Sequence, residues 1–246
     1  MKRRRAGMEK GSEIRSAIEE LSMAVKVKPG DDHDAALIPT KPFLLACNLV
    51  LQVLDKIGPT MAVLRQDIHQ NIQRLEKLYE SDPSVYSNLV EMLKKEVSEG
   101  NARKFTSCSR ALVWLTRSID FTVALLERLV KDPGQSMEQV IEESYNLTLK
   151  PWHGWISSAA YKVNHPPNHN PMMYYRMKDL WKVGAPEVAL KLVPESKTFI
   201  CLLMAEDEDY DTLKEEMQCL ISLLMPLQDE IHSTLRTFHL AKLKAT

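Results

Sequence analysis

The sequence predicts an all-α protein, and three observations support that prediction. Apolar residues recur every three to four positions through most of the chain, as they do on one face of a helix. No stretch alternates apolar and polar residues in the way that a half-buried strand does. Glycine, proline, serine and aspartate gather between the periodic stretches, where they end one helix and begin the next. The 246 residues are enough for one large domain or two small ones.

The N-terminal half divides into segments of helical period and segments of turn chemistry. In chain order we predict a short helix that residues 12–27 could form, a linker over 30–42, a helix over 43–57, a helix that contains 64–79, and a helix over 84–99 that ends at Gly100. The first long helix stops at Gly58-Pro59, because proline cannot continue it. The next helix stops before Ser81-Asp82-Pro83, which also starts its successor.

The C-terminal half continues the helical pattern. We predict a long helix over 104–132, a helix over 136–149, a helical stretch WHGWISSAAYKV after Pro151, and an amphipathic helix over 209–244 that is kinked at Pro226. The core-facing stripe of the long helix consists of Phe105, Cys108, Leu112, Leu115, Ile119 and Leu126.

One segment, residues 163–187, does not fit the helical pattern. It contains NHPPNHNPMMYYRMKDLWKVGAPE, which is rich in proline and has no apolar period. If these residues are removed, Lys162 joins Val188 and the joined string reads as a smoother amphipathic helix. We therefore hypothesise a retained intron or a gene-model artefact at this atypical insert; a loop that belongs to the protein is the alternative.

Composition and charge exclude several classes of protein. The formal net charge is −1, so no global field attracts nucleic acid, and MKRRR at the start is a short basic cluster. No apolar run reaches the roughly 18 residues of a transmembrane helix, and the N-terminus lacks the apolar core of a secretory signal. Cys47, Cys108, Cys201 and Cys219 are widely spaced, which favours buried thiols in a reducing compartment over disulfides or a zinc site. These features indicate the cytosol.

The sequence contains no strong catalytic or metal-binding motif. A Gly-rich phosphate loop, a GxSxG elbow, an HExxH pair and paired CxxC motifs are all lacking. His165 and His169 have the spacing of two metal ligands on a helix, but the prolines between them prevent that helix. A hydrolase built on His153 and Asp67 has no nucleophile that stands out near either residue. We therefore expect no enzymatic activity, no cofactor and no bound metal.

A polar row accompanies the apolar stripe of the helix that contains residues 64–79. Asp67, Asn71 and Arg74 follow one another at i, i+4 and i+7, at the border between core and solvent. An acid, an amide and a cation in such a row can bind a polar ligand. An ordinary solvated helix face, with contacts between neighbouring turns, explains the same pattern.

The long helix carries a second row of the same spacing, made of Arg110, Trp114, Arg117 and Phe121. A tryptophan at the border of a core can stack on the C–H face of a sugar ring, while acids and amides bind the hydroxyls. Arg110 and Arg74 can add cation–π contacts or charge-assisted hydrogen bonds. Core packing explains Trp114 by itself, whereas the two polar rows together favour a sugar site.

The string WHGW, residues 152–155, is the most unusual local sequence. In its functional interpretation, His153 exchanges a hydrogen bond with a ligand amide or hydroxyl, and one tryptophan lies at a membrane interface. In its structural interpretation, the histidine starts a helix and is packed by Trp152 and Trp155. Both interpretations stay open at this point.

Three strings, DIHQNIQRLEKLYESDP, RALVWLTRSIDF and WHGW, together resemble the glycolipid transfer protein family, most closely its plant members. The resemblance covers the chain from Lys41 to about Phe238, apart from residues 163–187. It implies an all-α fold in which two layers of helices enclose an apolar pocket for ceramide chains, with the headgroup at a surface site. It also implies a domain over residues 41–246, and it leaves residues 1–40 as a flexible segment with the short helix.

The resemblance assigns headgroup roles to several residues. Asp67 and Asn71 match the acid and the amide that bind the sugar, and Arg74 stands where the family usually has lysine. Trp114 matches the tryptophan on which the first sugar stacks. Relatives that carry ceramide-1-phosphate replace the amide by lysine and the tryptophan by arginine, and they have a further arginine at the position of Arg110. Asn71 and Trp114 therefore favour a sugar, while Arg110 leaves room for anionic headgroups.

The remaining expectations also follow from the resemblance. His153 matches a histidine that bonds the ceramide amide region, and Trp155 matches a tryptophan associated with membrane docking. The implied function is non-enzymatic transfer of glycosphingolipids between membranes, by a cytosolic monomer that touches membranes transiently and binds no nucleic acid. A sphingolipid sensor or adaptor with the same pocket is the alternative.

Overall fold

The computed structural model describes residues 12–25, 37–152 and 193–244. Within these ranges the helices are α1 (Glu13–Val25), α2 (Thr40–Ile57), α3 (Ala62–Ser81), α4 (Leu89–Ser98), α5 (Cys108–Lys131), α6 (Met137–Thr148), α7 (Ser196–Leu203) and α8 (Tyr210–Thr237), with a 3₁₀ turn at Pro59–Met61. The same ranges contain no strand, and one isolated antiparallel bridge joins Pro39 to Asn88. The predicted all-α class is confirmed.

Helix α5 is the central element of the fold. It packs against α2, α3, α4, α6 and α8, and most of its side chains are buried. A helix that is buried around most of its circumference belongs in the interior of a protein. Leu112, Leu115, Ile119 and Leu126 face the core, as the sequence predicts.

Helix α1 lies within the N-terminal segment that is expected to be flexible. Ile14 and Leu21 are almost fully buried, because α1 packs against α2 and α8. Arg15 forms ion pairs with Glu208 and Glu216, which lie near the other end of the chain. The hydrophobic core therefore includes residues that precede the predicted domain boundary.

Helices α2 and α4 begin several residues away from their predicted starts. Helix α2 begins at Thr40, inside the expected linker, because the Thr40 N–H donates a hydrogen bond to the Ser87 carbonyl at 2.9 Å. Helix α4 begins at Leu89 and not at residue 84, because Asp82 accepts hydrogen bonds from the N–H groups two and three residues later and so forms a turn. The side chain of Asn88 then caps the helix.

Helix α5 also begins later than the sequence predicts. The hydroxyl of Ser107 caps it, and the Glu96 carboxylate of α4 accepts hydrogen bonds from the N–H groups of Cys108, at 2.9 Å, and Ser109, at 2.7 Å. Phe105 consequently lies in the preceding loop, where it is 58% exposed. The prediction that Phe105 belongs to the core stripe is wrong.

The C-terminal helix α8 is amphipathic, as predicted, but it ends at Thr237. Its buried stripe includes Leu213, Met217, Leu220 and Leu235, and the helix continues through Pro226. None of the helices in the described ranges is long and apolar enough to cross a membrane.

The cysteines differ in burial, contrary to the prediction of buried thiols. Cys47 is buried and Cys108 is half-buried. Cys201 and Cys219 are exposed, so the prediction is wrong for these two residues. They lie on faces of α7 and α8 that do not pack against the core. The apolar periodicity of a helix identifies its buried stripe, but it does not show whether a residue beside that stripe is buried by a neighbouring helix.

Candidate functional site

The row on α3 is a chain of hydrogen bonds along one helix face. The Asn71 amide donates to the Asp67 carboxylate at 3.2 Å, and the Arg74 guanidinium donates to the Asn71 carbonyl oxygen at 3.3 Å. Asp67 is exposed, Arg74 is half-buried and Asn71 is buried, so the row crosses the border between solvent and core. Ile68 and Ile72 beside it are fully buried and hold the helix face in place.

Arg74 also connects α3 to the loop before α5. The same guanidinium nitrogen lies 3.5 Å from the Phe105 carbonyl oxygen and 3.3 Å from the Ser107 carbonyl oxygen. Ser107 is the cap of α5 and its hydroxyl also donates to the Ala102 carbonyl at 2.9 Å. One cation therefore ties the α3 row to the start of α5, which carries the second row.

Arg110 is the first member of the row on α5. Its guanidinium carbon lies 5.6 Å from the centre of the Phe105 ring, and its Nη2 donates to the Lys244 carbonyl at 3.3 Å. Burial lowers the pKa of Arg110, while the charge of Asp67 acts in the opposite direction. The two polar rows are therefore electrostatically coupled across the gap between α3 and α5.

Arg117 lies between two tryptophans. Its guanidinium carbon is 4.8 Å from the Trp114 ring centre and 4.2 Å from the Trp152 ring centre. Its Nη2 donates to the Ala241 carbonyl at 3.1 Å, and its buried Nη1 has no hydrogen-bond partner among the described residues. Burial lowers the pKa of Arg117 to about 10, although Asp120 opposes the shift. The Arg117 guanidinium thus packs against the rings of both tryptophans.

The low polarity of its surroundings changes the pKa of the Asp67 carboxyl. Although the residue as a whole is exposed, the protein around its carboxyl removes enough water to raise the pKa of Asp67. The cations of Arg74 and Arg110, and the hydrogen bond from Asn71, act to lower that pKa. A carboxylate with this environment gains from a ligand that donates hydrogen bonds to it.

The C-terminal tail, residues 239–244, is the part of the site that the sequence analysis missed. Its carbonyl groups at His239, Ala241 and Lys244 accept hydrogen bonds from Arg103, Arg117 and Arg110. Two leucines anchor the tail in the core; Leu240 is 1% exposed and Leu243 is 9% exposed. The spacing of these two leucines in the sequence could have indicated a buried tail. It was read as a continuation of the apolar stripe of α8, because the two leucines follow directly on that helix.

Several predicted residues cannot be placed. His153, Trp155, His165, His169 and the insert over 163–187 lie outside the described residues. Trp152, the first residue of the WHGW string, is described, and its contact with Arg117 brings the start of that string to the α5 row.

Neither a groove elsewhere on the surface nor a metal-binding cluster adds to the two rows in the described ranges. A surface groove of about 610 Å³ lies between α1, α2 and α3, but Tyr79 in its lining is twelve residues from Asp67, or about 18 Å along the helix axis. No group of three or more His, Cys, Asp or Glu side chains that could hold a metal ion occurs in the described part of the chain.

The sequence comparison identifies the family. A sequence model described as "Glycolipid transfer protein (GLTP)" matches residues 38–166, just over half of the chain. The chain belongs to the glycolipid transfer protein family. It is 52% identical to glycolipid transfer protein 3 and 51% identical to glycolipid transfer protein 2 of Arabidopsis thaliana, in both cases over 100% of each chain. The resemblance to plant members of this family is confirmed.

The fold is shared with solved members of the glycolipid transfer protein fold. A mutant of Arabidopsis ACD11 (accelerated-cell-death 11) complexed with ceramide-1-phosphate has a TM-score of 0.68 at 19% identity, covering 94% of this chain and 96% of that one. Human ceramide-1-phosphate transfer protein in complex with its lipid has a TM-score of 0.68 at 14% identity, covering 93% and 98%. At these identities the likeness establishes the fold.

Proposed function

We propose that this protein transfers glycosylated ceramides between membranes and leaves the lipid chemically unchanged. The single observation that carries the proposal is the packing of α3, which bears the Asp67–Asn71–Arg74 row, against α5, which bears Trp114; Arg74 bonds the Ser107 carbonyl at the start of α5. Full-length relatives named glycolipid transfer proteins support it, as does the family, whose members are lipid carriers and not enzymes.

Each side chain has a distinct task in the proposed headgroup site. Asp67 accepts hydrogen bonds from sugar hydroxyls, and Asn71 both accepts and donates. Arg74 donates and also neutralises the carboxylate. The Trp114 ring, which also packs against the Arg117 guanidinium, stacks on the C–H groups of the first sugar ring.

The lipid chains explain why a protein carrier is needed. Exposing hydrocarbon to water costs about 0.8 kcal/mol for each CH₂ group, so a ceramide does not cross the cytosol unaided at a useful rate. We propose that an apolar pocket in the helical fold covers the chains, that His153 bonds the ceramide amide region, and that Trp155 docks the carrier to a bilayer. In this proposal the carrier is a cytosolic monomer that contacts membranes transiently and needs no nucleic acid, metal or cofactor.

Anionic glycolipids are a second candidate class of cargo. The charges of Arg74 and Arg110 both act on the carboxylate of Asp67. Arg110, like Arg117 two turns further along α5, is more than 90% buried. Buried cations are stabilised by anionic partners. Phosphate-bearing or sulfated headgroups would therefore add charge pairing to sugar recognition, with Arg110 as the discriminating residue.

The test is transfer of fluorescent lipids between vesicles. We expect the wild-type chain to move glucosylceramide, and we expect Trp114→Ala to reduce that rate by more than about 10-fold, since stacking on an aromatic ring is lost. Met225→Ala, which truncates an exposed side chain on α8, serves as the control and keeps the wild-type rate. Tight binding without turnover would show a sensor or adaptor instead of a carrier.

Charge selectivity is tested with Arg110→Leu. This variant should lose transfer of sulfated glycolipid or ceramide-1-phosphate and keep transfer of neutral glucosylceramide. Arg103→Leu is the matched control, because Arg103 also donates to a tail carbonyl but contacts neither polar row among the described residues. A wild-type chain that moves no anionic lipid would rule out the anionic candidate, and an Arg110→Leu variant that moves anionic lipid as fast as the wild type would rule out Arg110 as the discriminating residue. A chain without residues 163–187, assayed beside the full chain, shows whether the insert affects transfer.

A further inference from the structure

Arg117 is a buried cation whose place in the fold is not explained by packing. Only 4% of the residue is exposed. Its Nη2 donates to the Ala241 carbonyl at 3.1 Å, but its buried Nη1 has no hydrogen-bond partner among the described residues. A buried charge with an unsatisfied donor opposes folding, and an apolar side chain of similar size would fill the same space at a lower cost. An arginine at this position therefore suggests a function.

Two aromatic rings from different parts of the chain contact the Arg117 guanidinium. Its central carbon lies 4.8 Å from the centre of the Trp114 ring on α5 and 4.2 Å from the centre of the Trp152 ring, which follows α6. A guanidinium group is planar and stacks on aromatic rings, whereas the compact ammonium group of lysine does not stack. Trp114, Arg117 and Trp152 thus form a bridge, the Trp–Arg–Trp bridge, from α5 to the segment after α6.

The two tryptophans of the Trp–Arg–Trp bridge keep some exposed surface, and the arginine does not. Trp114 and Trp152 are half-buried, while Arg117 is buried. A ligand at the surface of the protein can therefore contact the two rings directly. Arg117 acts on such a ligand through the rings that it contacts.

The Trp152 end of the bridge is anchored in the fold. The Trp152 N–H donates to the Leu149 carbonyl at 3.0 Å, and Leu149, at the end of α6, is 2% exposed. In the sequence, Trp152 is followed directly by His153, which bonds the ceramide amide region in the proposed function. Arg117 therefore connects the tryptophan proposed to bind the sugar with the residue that precedes the histidine proposed to bind the amide.

We propose that Arg117 is a positioning residue, which holds the Trp114 ring in the orientation that stacks on the first sugar and makes that orientation depend on Trp152. A side chain that is held in place before its ligand arrives loses less conformational entropy on binding. The Trp–Arg–Trp bridge thereby couples sugar recognition on α5 to the segment that begins at Trp152. The inference rests on the proposed function, and it gives a role in sugar recognition to a residue outside the proposed headgroup contacts.

The test separates the contribution of the sugar to binding from that of the lipid chains. The Kd is measured for glucosylceramide and for ceramide with the same acyl chain, and the ratio of the two Kd values is the sugar preference. Arg117→Lys keeps the charge and a donor for the Ala241 carbonyl but lacks the planar group. We expect this variant to lower the sugar preference by roughly 3- to 10-fold and to leave the Kd of ceramide within about 2-fold.

Two double-mutant cycles show whether the effect passes through the bridge. In a Trp114→Ala background, Arg117→Lys should lower the sugar preference by less than about 2-fold further, because the ring that Arg117 orients is gone. Trp152→Leu alone should lower the preference by roughly 3- to 10-fold, and adding Arg117→Lys to it should change the preference by less than about 2-fold. A merely structural role of Arg117 would instead weaken the binding of both lipids.

Arg128→Lys is the matched control, because Arg128 is an arginine of the same helix that pairs with Glu143 of α6. It should change neither Kd. If Arg117→Lys weakens both lipids equally or leaves the sugar preference unchanged, the inference is overturned, as it is if the effects in the two cycles add.

A second variant and a reference measurement keep the outcomes distinct. Should Arg117→Lys fail to fold, as its urea midpoint would show, Trp152→Leu alone decides the question, because an unchanged sugar preference in that variant also overturns the inference. A wild-type chain that binds glucosylceramide no better than ceramide refutes the proposed headgroup site itself, which is a distinguishable result.

Discussion

The polar rows of α3 and α5 share one spacing in the sequence but have different environments in the structure. Asp67 on α3 is exposed and Arg74 is half-buried, and their side-chain partners lie mostly on the same helix. Arg110 and Arg117 on α5 are only 6% and 4% exposed. Their contacts come from Phe105, Trp152 and the tail carbonyls.

The difference shows what helical spacing can and cannot predict. Spacing determines which side chains share a face, because the geometry of the helix is fixed. It does not determine what covers that face. Trp152 and Ala241 lie 35 and 124 residues along the chain from Arg117, so no local sequence pattern predicts that they contact the Arg117 side chain. In the proposed function the exposed row binds hydroxyls, while the buried Arg110 and Arg117 hold the tail and the tryptophans against α5.

The largest expected effect is on stability and concerns the buried row. Arg117→Ala should lower the free energy of unfolding by about 2–3 kcal/mol, because it opens a cavity between two tryptophans and leaves the Ala241 carbonyl without its donor. Arg74→Ala, in the exposed row, should cost less than about 1 kcal/mol. Urea denaturation followed by circular dichroism measures both. Equal losses would mean that the two rows contribute equally to the fold.

A smaller effect, confined to function, is expected for the exposed row. Asp67→Asn should lower glycolipid transfer by about 10-fold, since one charge-assisted hydrogen bond to the sugar is lost. The free energy of unfolding of the Asp67→Asn variant at pH 7 should equal or slightly exceed that of the wild type. Folding raises the pKa of Asp67, so ionisation of this carboxyl opposes folding increasingly as the pH rises above its ordinary value of 3.8. A clear loss of stability at pH 7 would contradict this account.

The smallest expected effect is a pH dependence at the outer side of α5. Asp120 accepts hydrogen bonds from His232, at 3.0 Å, and Gln228, at 2.8 Å, with Arg236 and Asp229 also acting on the histidine. The hydrogen bond to Asp120 raises the pKa of His232 above 6.5. The contribution of the His232–Asp120 pair to the stability of the fold is therefore complete below pH 6.5, and it is lost as the pH rises through the pKa of His232 in the folded state.

That loss should be at most about 0.5 kcal/mol, because water screens a partly exposed ion pair. Urea midpoints at several pH values between 5.5 and 8.5 measure it, with His232→Gln as the control that removes the titration. A wild-type slope that persists in His232→Gln would assign the pH dependence to another group.

The sequence predicted the helical class, the order of the long helices and both polar rows, because long periodic stretches carry those signals. It misplaced Phe105 and the starts of α2, α4 and α5. At each of these places a side-chain or backbone hydrogen bond decides the boundary: Asp82 forms a turn, Ser87 receives the Thr40 N–H, and Ser107 caps α5. The tail over residues 239–244 was missed because it continues the apolar pattern of α8 without being helical.

Burial and the nearby Glu96 carboxylate together determine how the Cys108 thiol at the start of α5 reacts with oxidants. A cysteine at the first residue of a helix usually ionises readily and reacts with oxidants. Here burial, together with the negative charge of Glu96, raises the pKa of Cys108 to about 11, so its sulfur stays protonated at neutral pH. Thiol reagents and peroxide should therefore modify the exposed Cys201 and Cys219 first, and spare the sulfur that lies 3.9 Å from the Arg74 carbonyl oxygen.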